Sequence, residues 1–148
     1  MAAMVARYGI AGIVVRVAFA AVFAMNVQCA LSFVLMPEQY VGGFMLEDAG
    51  QVGDAAVAGL GVAFLMWNAT YPAFIVAPAR FRVLGWVILA QQLIGLVGEL
   101  CLYCGLGSGH EVLRASILRF VVFDGVGLVL MAAAFAWFLV VFKKKDVL

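Results

Sequence analysis

The sequence predicts an all-α protein, a four-transmembrane-helix bundle with both termini cytoplasmic. Three observations carry that expectation. Of 148 residues, 68% are hydrophobic and only 11% are charged, with a mean hydropathy of +1.17; ordinary soluble domains are about 25% charged. Four stretches reach the roughly 20 apolar residues that a spanning helix needs. None shows the alternation over about ten residues that marks a membrane barrel. Three prolines near predicted helix ends, and no Ser- or Gln-rich tract, leave a single integral membrane domain over 1–148. The formal charge of +1 argues against a nucleic-acid partner, which requires a basic face.

The first span covers about 9–36 and stops at Pro37. It is too long for the apolar core of a cleavable leader, and Arg16 interrupts it. The second covers about 55–76, stopped by Pro72 and Pro78. Within it Ala55, Gly59 and Ala63 recur every fourth residue, a small-residue track that predicts close backbone approach to a neighbour. The third covers about 83–104 and ends at Gly105. The fourth covers about 116–142 and is closed by Lys143, Lys144 and Lys145, with Gly125 and Gly127 as its small residues.

Orientation follows from the cations near the span ends. Arg7, Arg16, Arg80, Arg82 and the terminal lysines share one side. Glu38, Glu47, Asp48, Asp54, His110, Glu111 and Arg114 share the other, with Arg119 at its margin. The first side is therefore cytoplasmic if the membrane is the plasma membrane. Tyr8, Tyr40, Tyr71, Trp86, Tyr103 and Trp137 fall near span ends, as interfacial anchors do. The longer outer loop from Pro37 to Asp54 is expected to fold as a short re-entrant or interfacial segment.

The spans carry hydrophilic side chains that lipid does not satisfy. At 1.5 Å per residue, Asn26, Gln28, Asn68, Gln91 and Gln92 reach a central layer. Glu99 lies roughly 9 Å outward on the third span, Asp124 at nearly its depth on the fourth, and Arg119 about a turn above. Residues seven apart on a helix differ by about 20°, so Gln92, Gly95 and Glu99 form one stripe. A charge near a helix centre costs about 2.5–3.5 kcal/mol on insertion scales, so this stripe is expected to face protein or water. Membrane Asn and Gln also serve as interhelical glue. Arg119 is expected to neutralise one acid as an ion pair, and Arg16 to snorkel at the inner boundary.

Cys101 and Cys104, in CLYC, have the spacing of a redox dithiol. They sit at a helix C-terminus, however, where the dipole opposes a thiolate, and membrane helices also use cysteine as a small apolar residue. Cys29 lies within a turn or two of their depth. His110 has no second ligand at metal-binding spacing, so no metal is expected. The sequon NAT at 68–70 lies mid-membrane, out of reach of glycosylation.

Arg16 near the start of the first span, Pro37 in MPEQY after it, and a loop with Gly42-Gly43 before the second span make a layout that resembles the DoxX-like superfamily of small four-helix membrane proteins. The resemblance covers roughly the first half of the chain. It implies the four-helix fold and, through some relatives, quinone or sulfur redox chemistry, with Arg16 as the one residue carried over. MWNATYP and QQLIGLVGE depart from it.

The leading functional expectation is a homo-oligomeric membrane protein that binds or passes an unknown small solute through the polar layer. Gln92, Glu99 and Asp124 would line the site, Arg119 would set its charge, and Asn26, Gln28, Asn68 and Gln91 would complete it. Oligomerisation is expected because four helices enclose little space and symmetric copies build a pathway. One alternative is a redox enzyme or quinone-binding subunit using Cys101 and Cys104. Another is an accessory or chaperone-like subunit whose polar residues serve partner helices.

Overall fold

The computed structural model describes the backbone of residues 2–143 and the side chains of residues 9–142. The side chains of Arg7, Tyr8 and Lys143, and all of Lys144 and Lys145, lie outside what is described. The helices are α1 (Ala2–Leu35), α2 (Gln51–Asn68), α3 (Tyr71–Val76), α4 (Arg82–Gly105) and α5 (Glu111–Lys143), with no strand among the described residues. Because α2 and α3 make one crossing, four segments are long and apolar enough to span a membrane: Gly9–Leu35, Gln51–Val76, Arg82–Gly105 and Glu111–Phe142. This is the build of a small multi-pass membrane protein, and the all-α four-helix expectation holds.

Helix α2 starts at Gln51 instead of 55, which puts Asp54 in its first turn and not in the loop, and two further boundaries differ from expectation for physical reasons. Hydropathy marks where hydrocarbon begins, whereas a helix begins where its first turn is satisfied. Gly109, at φ +87, turns the chain, and its N–H donates to Glu111 Oε1 at 3.2 Å. Helix α5 therefore starts at Glu111, more than a turn before the expected 116. The Arg114 guanidinium donates to the Leu106 carbonyl and lies 5.4 Å over the Tyr103 ring, fastening the end of α4 to the start of α5.

The second correction concerns Pro72, which interrupts its span instead of stopping it. Helix α2 ends at Asn68, residues 69 and 70 form a turn, and α3 resumes with Pro72 in its first turn. A proline there lacks only an N–H that has no helical partner anyway. The break carries Tyr71 inward: expected as an interfacial anchor, it is fully buried. Tyr40 is likewise drawn inward and packs on Phe33, ring centroids 4.8 Å apart.

Helix α1 packs against α2 and α5, α5 against α4, and α3 against α1 and α4. The face of α2 that meets α1 is not the one expected. Ala55, Gly59 and Ala63 are exposed, while Gly53, Val57 and Gly61 are buried. A Cβ at Gly61 would lie 2.7 Å from the Ala30 carbonyl oxygen, so this crossing admits no side chain. Both stripes recur every fourth residue, and spacing does not choose between faces roughly 200° apart. On α5, Gly127 is buried beside Val22, whereas a Cβ at Gly125 would meet only Leu96 at 3.9 Å.

The bundle has two unlike halves. Toward the termini it is solid, filled by Val15, Phe19 and Val22 of α1, Tyr71 and Phe74 of α3, Ile88 and Leu89 of α4, and Met131, Phe135 and Phe138 of α5. The Phe19 and Phe74 rings are 4.5 Å apart, those of Phe74 and Phe135 5.5 Å. Toward the loop after α1 the bundle is hollow. That loop folds as three short 3-10 turns, Pro37–Gln39, Val41–Phe44 and Glu47–Ala49, of which the first two reach over the hollow. A Cβ at Gly43 would lie 3.2 Å from Ser116 Oγ of α5, so the loop lies close on the bundle.

Candidate functional site

The hollow is a cavity of about 530 Å³. Its walls come from Met25, Asn26, Cys29 and Phe33 of α1, Phe64, Trp67 and Asn68 of α2, and Gln92, Gly95 and Glu99 of α4. Helix α5 adds Ser116, Arg119, Phe120, Phe123 and Asp124, and the loop adds Gln39, Tyr40, Gly43 and Phe44. The stripe Gln92–Gly95–Glu99 thus faces inward from end to end.

A hydrogen-bonded layer divides the hollow half from the solid half. Gln92, 2% exposed, donates through Nε2 to Asp124 Oδ1 at 2.8 Å and accepts from the Tyr71 hydroxyl at 3.4 Å. Beside it, Asn26 Nδ2 donates to Asn68 Oδ1 at 3.3 Å, and Asn68 Nδ2 donates to the Phe64 carbonyl at 2.8 Å. Every helix of the bundle contributes to this layer. Gly95 makes room for it, since a Cβ there would lie 3.0 Å from Asp124 Oδ2 and 3.2 Å from the Trp67 indole.

Of the residues expected at a site, six line the cavity: Asn26, Asn68, Gln92, Glu99, Arg119 and Asp124. Two do not. Gln28 is exposed on the far face of α1, in a shallow groove with Phe23, Leu31 and Ser32. Gln91 points beside the cavity and accepts from Thr70 Oγ1 at 3.3 Å, bracing the break between α2 and α3. Adjacent glutamines on a helix face about 100° apart, so one of the pair had to leave the stripe.

Two depth expectations also change. Asp124 belongs with the amides, because Gln92 Nε2 lies 3.5 Å from its main-chain oxygen as well as bonding to its carboxylate. Counting residues from helix ends sets it at the level of Glu99, too far out, because that arithmetic does not see how α4 and α5 are set against each other. Glu99 is left by itself in the hollow half, with Oε2 buried and without a hydrogen-bond partner. Arg119 lines the same cavity, yet it is exposed, and no ion pair to either acid forms among the described residues.

Cys101 and Cys104 are free, exposed and outside the cavity. The cysteine that does face it is Cys29, half-buried and also free. Arg16 is exposed on the surface of α1, outside the cavity. No group of metal-ligating side chains forms among the described residues. The aromatic wall escaped the sequence reading altogether. Phe33 sits at its centre, with ring centroids 5.7 Å from Phe44, 6.1 Å from Phe64 and 6.2 Å from Phe120. Aromatic residues in an apolar span give no sign of facing inward, so the one usable signal was Gly42-Gly43-Phe44, a loop built to come close.

No family model matches the chain, and neither does any curated protein or solved structure. The chemistry of the cavity therefore speaks for itself: an aromatic chamber, a satisfied polar floor, and one carboxylate with an unfilled oxygen. Pockets of roughly 300–1,000 Å³ with apolar walls and a few convergent polar groups are the usual form of small-molecule sites.

Proposed function

We propose that this chain is a plasma-membrane protein with cytoplasmic termini that binds a small solute in the hollow half of its bundle. The observation that carries the reading is the buried, unpartnered Glu99 Oε2 beside a cavity of about 530 Å³. A buried polar atom without a partner costs about 1–3 kcal/mol, and a bound molecule that donates to it recovers that cost. The packed cluster from Val15 to Phe138 below the Gln92 layer favours binding from one side over passage across the membrane. One chain supplies the whole pocket, so the reading does not depend on symmetric copies, although a homo-oligomer remains compatible with it. Kinship with the DoxX-like superfamily belongs to the same proposal and rests on Arg16, Pro37 and Gly42-Gly43.

Cys29 provides the test. In a chain carrying Cys101→Ser and Cys104→Ser, reconstituted in liposomes, a water-soluble methanethiosulfonate reagent added on the loop side should label Cys29. The same reagent confined to the side of the termini should not. Failure to label Cys29 from either side would remove the pocket.

A further inference from the structure

The cavity's charges and walls narrow the solute to one chemical class, an inference that rests on the binding reading above. The ionisable groups facing Glu99 are Asp124 and Arg119 from α5, Cys29 from α1 and Tyr40 from the loop. Arg119 is exposed at the cavity's edge and pairs with neither acid among the described residues. The interior thus presents two carboxyl groups and no cation that meets them. Asp124 receives one hydrogen bond, from Gln92 to Oδ1; Glu99 receives none at Oε2.

The walls around these acids are ring surfaces. Phe33, Phe44, Phe64, Trp67 and Phe120 face the cavity from three helices' worth of wall and the loop. Aromatic faces attract cations, by about 0.5–1 kcal/mol when exposed and about 2 or more when desolvated. They also accept an apolar body. An anion would find one exposed guanidinium opposed by two carboxyl groups. A neutral hydrogen-bond donor would satisfy Glu99 Oε2 but would make no use of the second carboxyl group, Asp124.

We propose that the pocket binds an organic cation, an alkyl- or arylalkyl-ammonium whose nitrogen donates to Glu99, with Asp124 as the second counter-charge, and whose apolar body lies against the Phe33–Trp67–Phe120 walls.

The test uses three molecules of one shape on the full chain in nanodiscs: 4-phenylbutylamine, 4-phenylbutanol and 4-phenylbutyrate, titrated calorimetrically against empty nanodiscs. The amine should bind about ten-fold tighter than the alcohol, as a charge-assisted hydrogen bond requires, and the carboxylate should bind most weakly. Glu99→Gln should weaken the amine far more than the alcohol and so remove the amine's advantage. If that variant does not fold, Asp124→Asn keeps the acceptor oxygen for Gln92 and should weaken the amine selectively. Equal binding of amine and alcohol to the wild-type chain overturns the cation inference and leaves the pocket standing. Binding of none of the three, with Cys29 still labelled from the loop side, overturns the inference as well. Binding of none with Cys29 unreactive removes both. A second measurement is independent of these probes. At Cys29, normalised to Cys101, a cationic methanethiosulfonate should react faster than an anionic one; the reverse order contradicts the proposal.

Discussion

The Gln92 side-chain amide donates to Asp124 Oδ1 at 2.8 Å, joining α4 to α5 where the packed half of the bundle meets the hollow half. The same side chain accepts from Tyr71, so three helices meet through one amide. A charged or polar group this deep holds its place only if its neighbours satisfy it. Gln92 does that for Asp124, and Glu99, seven residues along the same stripe, has nothing equivalent. Asp124 is thus tied into the layer through Oδ1 while still lining the cavity, whereas Glu99 has an oxygen that no side chain of the bundle meets.

Replacing Gln92 by Leu should therefore destabilise the bundle by about 1–3 kcal/mol, because Asp124 and the Tyr71 hydroxyl both lose their partner. Tyr71→Phe should cost less, about 1 kcal/mol or below, since its 3.4 Å bond is at the long limit for an O–H donor. Unfolding by denaturing detergent in bicelles measures both. A Gln92→Leu chain as stable as wild type would show that the layer does not hold the helices together.

The two glycine faces of the fold should respond oppositely to a methyl group. A Cβ at Gly85 would lie 2.7 Å from both the Phe74 and the Phe135 ring, so Gly85→Ala should cost roughly 1–3 kcal/mol through overpacking. At Gly59 nothing lies within 4 Å. Gly59→Ala should be neutral, or stabilise by up to about 1 kcal/mol through helix propensity. Melting temperatures of the two variants in nanodiscs decide the matter. A destabilised Gly59→Ala would mean that this outer stripe is covered in the membrane.

The four crossings were legible in the sequence because length and hydropathy are properties of each segment by itself. The inward stripe of α4 was legible too, since Gln92, Gly95 and Glu99 obey helical spacing within one segment. What escaped depends on how segments meet. Gly61 was hidden behind the equally regular Gly59 stripe, and Tyr71 was placed at an interface because Pro72 was read as a stop of the span, whereas the helix breaks at residue 69, resumes through Pro72 and carries the ring inward. Asp124 was set at the depth of Glu99 because counting along each helix does not show how α4 and α5 are set against each other, and the bond to Gln92 does. The rings of Phe33, Phe64 and Phe120 were invisible because, in a membrane segment, rings that face lipid and rings that face a cavity look alike, and only Phe44, after Gly42-Gly43, stood in a stretch that hinted at close approach.

The three thiols should separate cleanly by accessibility. Cys101 and Cys104 are exposed at the end of α4, whereas Cys29 is half-buried against the cavity. In detergent without reductant, a maleimide should label the first two quickly and Cys29 slowly, and peptide mass spectrometry can assign each. Rapid labelling of Cys29 ahead of the pair would contradict the placement of α1.

The loop over the cavity should govern entry. Gly43 lies so close to α5 that a Cβ would come within 3.2 Å of Ser116 Oγ, and Tyr40 and Phe44 are held down by the Phe33 ring. A valine at position 43 adds two methyl groups beyond that Cβ and should lift the 3-10 turn Val41–Phe44 away from the helix. The Gly43→Val chain should then label faster than wild type at Cys29 while Cys101 is unaffected. Phe44→Ala should act in the same direction by removing part of the roof without pushing the loop. The two variants approach the question from opposite sides, one by adding bulk under the loop and one by deleting its contact with Phe33. If both leave the Cys29 rate unchanged, solutes reach the cavity by another route, between the helices from the lipid side.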